Sequence, residues 1–293
     1  QFLIIALAIV CFFPFLGAVH LFDWDEINFA ECAREMIVSG DYLHVQMGFE
    51  PFHEKPPLFI WMQVLSMKFF GIHEFAARFP NAICGLISLL FIFHVGKKVH
   101  SKERAYWWVI AYGCSILPHF YFKSGIMDPW FNLFQFSSLY FFYLFYCNLP
   151  KKQYRHLVFA AILLGAAMMI KGPVALLIAG VCIVLFILQQ TRMLQQTEGF
   201  SLPNYTKWVS LLAIYFGIAC LPLMIWYAID IIQNGPSLFY SFIEYQVRLF
   251  RTEDAGHGGF FGYHVVVLLF GCFPASLFAI YTLIKKLDTK NAF

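Results

Sequence analysis

Charge is scarce in this chain. Of its 293 residues only 13% are Asp, Glu, Lys or Arg, whereas 60% are hydrophobic and the mean hydropathy is +0.68. That balance excludes a soluble globular domain of this size and points to a protein that crosses a membrane several times. Other absences narrow the class. There is no Cys-x-x-Cys and no metal-type spacing, and the eight cysteines fall mostly inside apolar runs, so a disulfide framework and a zinc module are both excluded. No basic patch is interleaved with aromatics, which argues against nucleic acid as a partner. No internal repeat or low-complexity tract is visible. The net charge of +3 says little until its distribution is considered.

What is present is phenylalanine, 36 residues of it, and long apolar runs. Runs able to cross or nearly cross a bilayer lie at about 2–20, 79–96, 105–122, 130–147, 156–170, 173–190, 207–229 and 263–284. No cleavage-site pattern follows the first run, which is therefore read as a span and not as a removed signal peptide. Residues 57–70 are apolar but short. The positive-inside rule decides how to treat them. If 57–70 stays in the interface, Lys97, Lys98, Lys102, Arg104, Lys151, Lys152, Arg155, Arg192, Lys207, Lys285, Lys286 and Lys290 share one side with both termini. If it crosses, the two most basic loops land on the wrong side. The expected fold is an all-α polytopic membrane domain, 1–293, with about eight transmembrane helices. Extracytoplasmic loops at 21–78 and 230–262 would carry interfacial helices.

The remaining charge is concentrated. Residues 21–58 hold eight of the seventeen acids, with only Arg34 and Lys55 as bases. On the same expected face lie four polar clusters: Asp25/Glu26, His53/Glu54/Lys55, Asp128, and Arg248/Arg251/His257. Lys171 joins them at a Gly-Pro turn. These are the residue types that chemistry on a phosphate-bearing lipid needs. A carboxylate takes a proton from an acceptor hydroxyl, and cations stabilise charge on a departing phosphate. Each has a plainer reading too. Asp25 and Asp128 open apolar-periodic segments and could be helix caps; Asp23 could cap in place of Asp25. Lys55 could snorkel. Pro56 and Pro57 hold Glu54 and Lys55 extended and begin the next helix. His53, Glu54 and His257 could form an oxygen/nitrogen metal site.

In order, the chain reads D-E…A-x-x-A-R-E-M from Asp25, E-K-P-P-L from Glu54, F-A-A-R-F-P from Phe75, Asp128-Pro129 at a span edge, I-K-G-P from Ile170 and H-G-G from His257. This order resembles the polyprenyl-phosphate-sugar-dependent transferases of the GT-C class, the lipid A aminoarabinose transferases most closely and the protein O-mannosyltransferases more distantly. The resemblance implies a membrane glycosyltransferase at the extracytoplasmic face of a bacterial inner membrane. Its donor would be a sugar on undecaprenyl phosphate or a similar lipid, its acceptor a lipid A-like molecule, a protein or a glycan. Asp25 would be the catalytic base or its positioner and Asp128 the second functional carboxylate. Lys55 and Lys171, with Arg248 or Arg251, would bind the donor phosphate, and Glu26, Glu54 and His257 would position substrate. Glu54 and His257 match positions that can hold a divalent metal in relatives, though the chemistry of the class generally requires no cofactor. Close relatives often carry an arginine where this chain has Asn28. The resemblance also implies a longer enzyme, of which these residues are an N-terminal portion. A transporter or flippase of lipid-linked sugars and a non-catalytic scaffold are the competing readings.

Overall fold

A computed structural model describes residues 1–22, 24–52, 54–149, 153–195, 205–251 and 262–291, without side chains at 191–195, 205–207, 249–251 and 286–291. Helices account for most of it, and the chain divides into two compact units, each assembled from separate stretches of sequence.

The first unit comprises Gln1–Val38, Met62–Pro129 and Val247–Phe293. It contains α1 (Phe2–Phe12), α2 (Asp25–Ser39), most of α3 (Leu58–Phe70), α4 (Glu74–Val99), α5 (Lys102–Gly113), α6 (Ile116–Phe122), α12 (Tyr263–Gly271) and α13 (Ala275–Asn291). Helix α4 organises it. His73 caps its start by accepting the Ala76 N–H. Small residues then let neighbours come close, as is usual where apolar helices pack in lipid. A β-carbon on Gly85 would collide with Phe12 and Phe122, and one on Gly96 would meet the backbone of Ala105 at 2.9 Å.

The second unit comprises Ser39–Trp61 and Trp130–Gln246. It holds the two-residue strands β1 (Gln46–Met47) and β2 (Glu50–Pro51), most of α7 (Asp128–Cys147), α8 (Tyr154–Lys171), α9 (Val174–Gln195), α10 (Tyr205–Asn234) and most of α11 (Ser237–Arg251). Helices α8 and α10 pack through Gly165, where a β-carbon would lie 2.9 Å from the Ala219 carbonyl. A buried bridge crosses the same bundle: the Ser138 hydroxyl donates to the Ala160 carbonyl (2.7 Å) and lies 2.6 Å from the Tyr215 hydroxyl.

Among the described residues three helices are long and apolar enough to cross a membrane: α4, α8 and residues 208–234 of α10. Several expected spans are interrupted. The helical part of 2–20 ends at Phe12, just before Pro14 and Gly17. The 105–122 run breaks into α5 and α6, and the 263–284 run into α12 and α13, which are bent by 111° at Cys272–Pro274. These two breaks satisfy each other. The Ile116 N–H donates to the Phe273 carbonyl (3.1 Å) and the Ser115 hydroxyl to the Cys272 carbonyl (3.3 Å). Non-helical backbone within apolar segments survives only where such partners exist.

Candidate active site

In the first unit the site grows from one ion pair. Arg78 and Glu26 are each 1% exposed. The guanidinium grips the carboxylate bidentately, Nε to Oε1 and Nη2 to Oε2, both at 2.8 Å. Its other donors reach the carbonyls of Leu16, Val19 and His20 beyond the end of α1. All five guanidinium N–H groups are thereby used. The carboxylate also accepts from the Phe22 N–H, at 2.7 Å, and from the Gly125 N–H. A buried charge pair is tolerable only when satisfied this completely.

The pair therefore fixes two chain segments at once. Asp25, adjacent to Glu26, is the exposed first residue of α2. It follows Trp24, a bulky residue held at φ 72°, a conformation found chiefly where neighbouring structure enforces it. Gly125 lies three residues before Asp128, the half-exposed first residue of α7. The loop leading to Asp128 is further clamped by Asn81, which donates to the carbonyls of Ser124 and Ile126 (2.6 Å each), and by Gln63, which donates to those of Ala77 (3.0 Å) and Gly125 (3.4 Å). Asp25 and Asp128 both lie within electrostatic reach of the Tyr121 phenol. Glu26 itself is enclosed, so it can orient a substrate only through Asp25 and the 123–127 loop. Arg248 is exposed on α11.

The lysines belong to the second unit. Lys55 Nζ donates to the Tyr245 hydroxyl at 3.1 Å and stands 5.2 Å from that ring's centroid. One turn earlier on α11, Phe242 packs on Gly172, where φ is 66° and a β-carbon would meet the ring at 2.8 Å. Only glycine fits there. Lys171, the last residue of α8, has its ammonium 5.4 Å from the Phe131 ring centroid. One stretch of α11 thus touches both the Lys55 segment and the Lys-Gly-Pro turn. An aromatic face lies beside each ammonium group, an environment that favours cations. Glu54, half-exposed, lies beside Lys55.

His53, His257 and the Arg251 side chain lie outside the described residues. Among the described residues no group of three or more His, Cys, Asp or Glu could hold a metal ion. Several residues of the network escape sequence reasoning: Arg78, Asn81, Gln63, Tyr121 and Tyr245. An arginine inside the F-A-A-R-F-P run was the one visible signal, because an ionisable group in an apolar segment needs a reason to be there.

Residues 54–226 match the dolichyl-phosphate-mannose-protein mannosyltransferase family, and the chain belongs to it. Curated relatives include two enzymes named undecaprenyl phosphate-alpha-4-amino-4-deoxy-L-arabinose arabinosyl transferase. The one from Edwardsiella ictaluri is 27% identical over 264 residues, covering 87% of this chain and 44% of the relative. The one from Shewanella sediminis is 26% identical over 261 residues, covering 88% and 45%. The fold matches crystal structures of ArnT from Cupriavidus metallidurans, apo (TM-score 0.75, 21% identity, 94% of this chain and 48% of that one) and bound to undecaprenyl phosphate (TM-score 0.74, 20% identity, 94% and 49%). The chain spans less than half the length of the curated relatives named here.

Proposed function

We propose that this chain carries the chemistry-bearing part of a membrane glycosyltransferase that uses a sugar on a polyprenyl phosphate. Asp25 takes the proton of an acceptor hydroxyl or phosphate. The acceptor oxygen then bonds to the anomeric carbon, and the bond from that carbon to the phosphate oxygen breaks. The polyprenyl phosphate leaves with the electron pair, its charge met by Lys55, Lys171 and Arg248, with Arg251 as a further cation. One displacement inverts the anomeric centre. Asp128 holds the acceptor alongside Asp25. The single observation that supports this reading is the buried Glu26–Arg78 pair, which anchors the residue next to Asp25 and, through Gly125, the loop leading to Asp128. The relatives' names supply the donor class, a polyprenyl-phosphate-linked pentose; the acceptor in this proposal is a lipid A-like molecule, a protein or a glycan.

The same reading puts the site at the extracytoplasmic face of a bacterial inner membrane, with α2, α3 and α11 in the interface and eight crossings in all. Substituted-cysteine labelling tests this: positions 41 and 54 should react with impermeant reagent in intact cells, and position 98 only after lysis. A divalent metal at Glu54 and His257 has one described donor here. That does not make a coordination set, and no step is routed through it.

The experiment is transfer from radiolabelled polyprenyl-phosphate sugars in membranes, comparing the native protein with Asp25→Asn. Full activity in the variant would sink the assignment. A second reading, a transporter of lipid-linked sugars, draws on the paired helix breaks at Ser115 and Phe273, a feature of moving transport helices. Flipping of a fluorescent polyprenyl-phosphate sugar in vesicles, with no transfer, would favour it.

A further inference from the structure

The second unit contains a polar cluster that the proposed chemistry does not use. Residues 41–44 are docked onto the last turns of α10 by a stripe spaced four residues apart. Trp226 Nε1 donates to the Leu43 carbonyl at 3.0 Å. Asp230 Oδ1 meets His44 Nε2 at 2.9 Å. Asn234 Nδ2 lies 2.8 Å from the same ring nitrogen and 3.0 Å from Asp230 Oδ1. On its other side the imidazole meets Asp41: Nδ1 lies 2.7 Å from Oδ2, while Oδ1 accepts the N–H groups of Leu43 and His44. From α3, Trp61 Nε1 donates to the Tyr42 carbonyl at 2.6 Å.

The burial of Asp230 needs a reason. It is 1% exposed, and its Oδ2 has no hydrogen-bond partner; the Tyr227 hydroxyl, one turn earlier, has none either. A carboxylate half satisfied in so enclosed a place costs folding free energy. What it holds is His44, and what His44 holds is the root of a hairpin. The Val45 carbonyl accepts the Phe52 N–H at 2.8 Å, and Gln46 and Met47 pair with Pro51 and Glu50 around a turn in which Gly48 and Phe49 both have positive φ. Three residues past Phe52 stands Lys55, stiffened by Pro56 and Pro57. The clasp closes from the other end as well. Helix α10 leads through Gly235 and Pro236 into α11, whose Tyr245 receives the Lys55 ammonium. The segment that carries Lys55 is thus pinned at both ends, by His44 on Asp230 and by Lys55 on Tyr245.

We propose that His44 and Asp230 are positioning residues for Lys55 and set the affinity for the phosphate of the lipid donor. This rests on the reading of Lys55 as a phosphate contact. A cluster that merely stabilised the fold would act independently of Lys55; one that aims Lys55 would act through it. The test is a double-mutant cycle in the native full-length protein, reading binding of tritiated undecaprenyl phosphate and the donor KM. His44→Ala and Lys55→Ala should each weaken binding about tenfold, roughly the 1.4 kcal/mol of one well-made charged contact. The double variant should be no weaker than Lys55→Ala alone. His44→Gln, which can still donate to Asp230, should recover most of the affinity, and it keeps the test open if His44→Ala does not fold. Losses that multiply in the double variant, or wild-type donor affinity in His44→Ala, would overturn the proposal while leaving the assignment of Lys55 intact. A wild-type protein that binds no undecaprenyl phosphate would overturn the functional reading itself, and this inference with it.

Discussion

The two units hold their functional groups by different physics. In the first, Asp25 and Asp128 are fixed indirectly: a buried, fully hydrogen-bonded Glu26–Arg78 pair locks the backbone beside each. In the second, Lys55 and Lys171 lie against aromatic rings, with one neutral hydrogen bond at Lys55. A general base must meet a particular proton, so its geometry tolerates little error. On the proposed reading, the carboxylates are held through a buried charge pair, and the lysines through aromatic rings and, at Lys55, the His44–Asp230 clasp.

That contrast can be broken most severely at Arg78. Arg78→Ala leaves Glu26 buried and uncompensated, and should destabilise the protein by about 3–5 kcal/mol, visible as a large drop in the thermal midpoint. Asp25→Asn touches nothing in that network. It should melt like the native protein yet lose about 10²- to 10⁴-fold in transfer, the usual share of a general base. If both variants lose activity only because both unfold, the carboxylate half is structural and the comparison fails.

The lysine half should respond more gently. Gly172→Ala forces a β-carbon into the Phe242 ring at a positive φ, and about 1–2 kcal/mol of stability should go with it. Tyr245→Phe removes the hydrogen bond to Lys55 but keeps the ring, so undecaprenyl phosphate binding should weaken by no more than about tenfold. Tyr245→Leu removes both and should weaken it further. Equal effects in the two variants would show that the ring contributes nothing.

The smallest effect concerns pH. Burial pushes the Asp41 carboxyl up, but hydrogen bonds from the His44 ring and from the His44 and Leu43 N–H groups outweigh it and hold the group below the usual carboxylate range. Hydrogen bonding to Arg34 does the same for Glu31. Groups depressed in the fold stabilise it above the unfolded carboxylate range, near pH 4, and lose that contribution as pH falls through their folded values. The thermal midpoint should therefore fall on acidification below about pH 4, and Asp41→Asn should flatten part of that slope.

Much of the site was legible in the chain. Acids crowded into 21–58, two prolines after Lys55 and a Lys-Gly-Pro turn are local signals, and local rules read them. The division of labour was not. Asp25 and Glu26 are adjacent and chemically alike, yet one is exposed and the other enclosed. What separates them is Arg78, 52 residues away on α4, and no periodicity records that pairing. Asp230 fell at the edge of an expected span and read as the start of a loop; α10 runs on to Asn234, and only that extra turn stacks Trp226, Asp230 and Asn234 along one stripe. The broken helices were missed for a related reason. Composition shows that 105–122 and 263–284 are apolar, but a break in an apolar helix is affordable only if another segment satisfies the freed backbone, and each of these breaks is satisfied by the other.

Composition alone determined that this protein is built of membrane-type helices, and the order of its short motifs gave the resemblance to transferases of lipid-linked sugars, because scarcity of charge and motif order are properties of the chain itself. Tertiary structure decided which acids are buried and which are exposed, and which aromatic lies against which lysine. Those depend on burial and on partners tens to nearly two hundred residues apart, and the free energy of a charged group is set by what surrounds it.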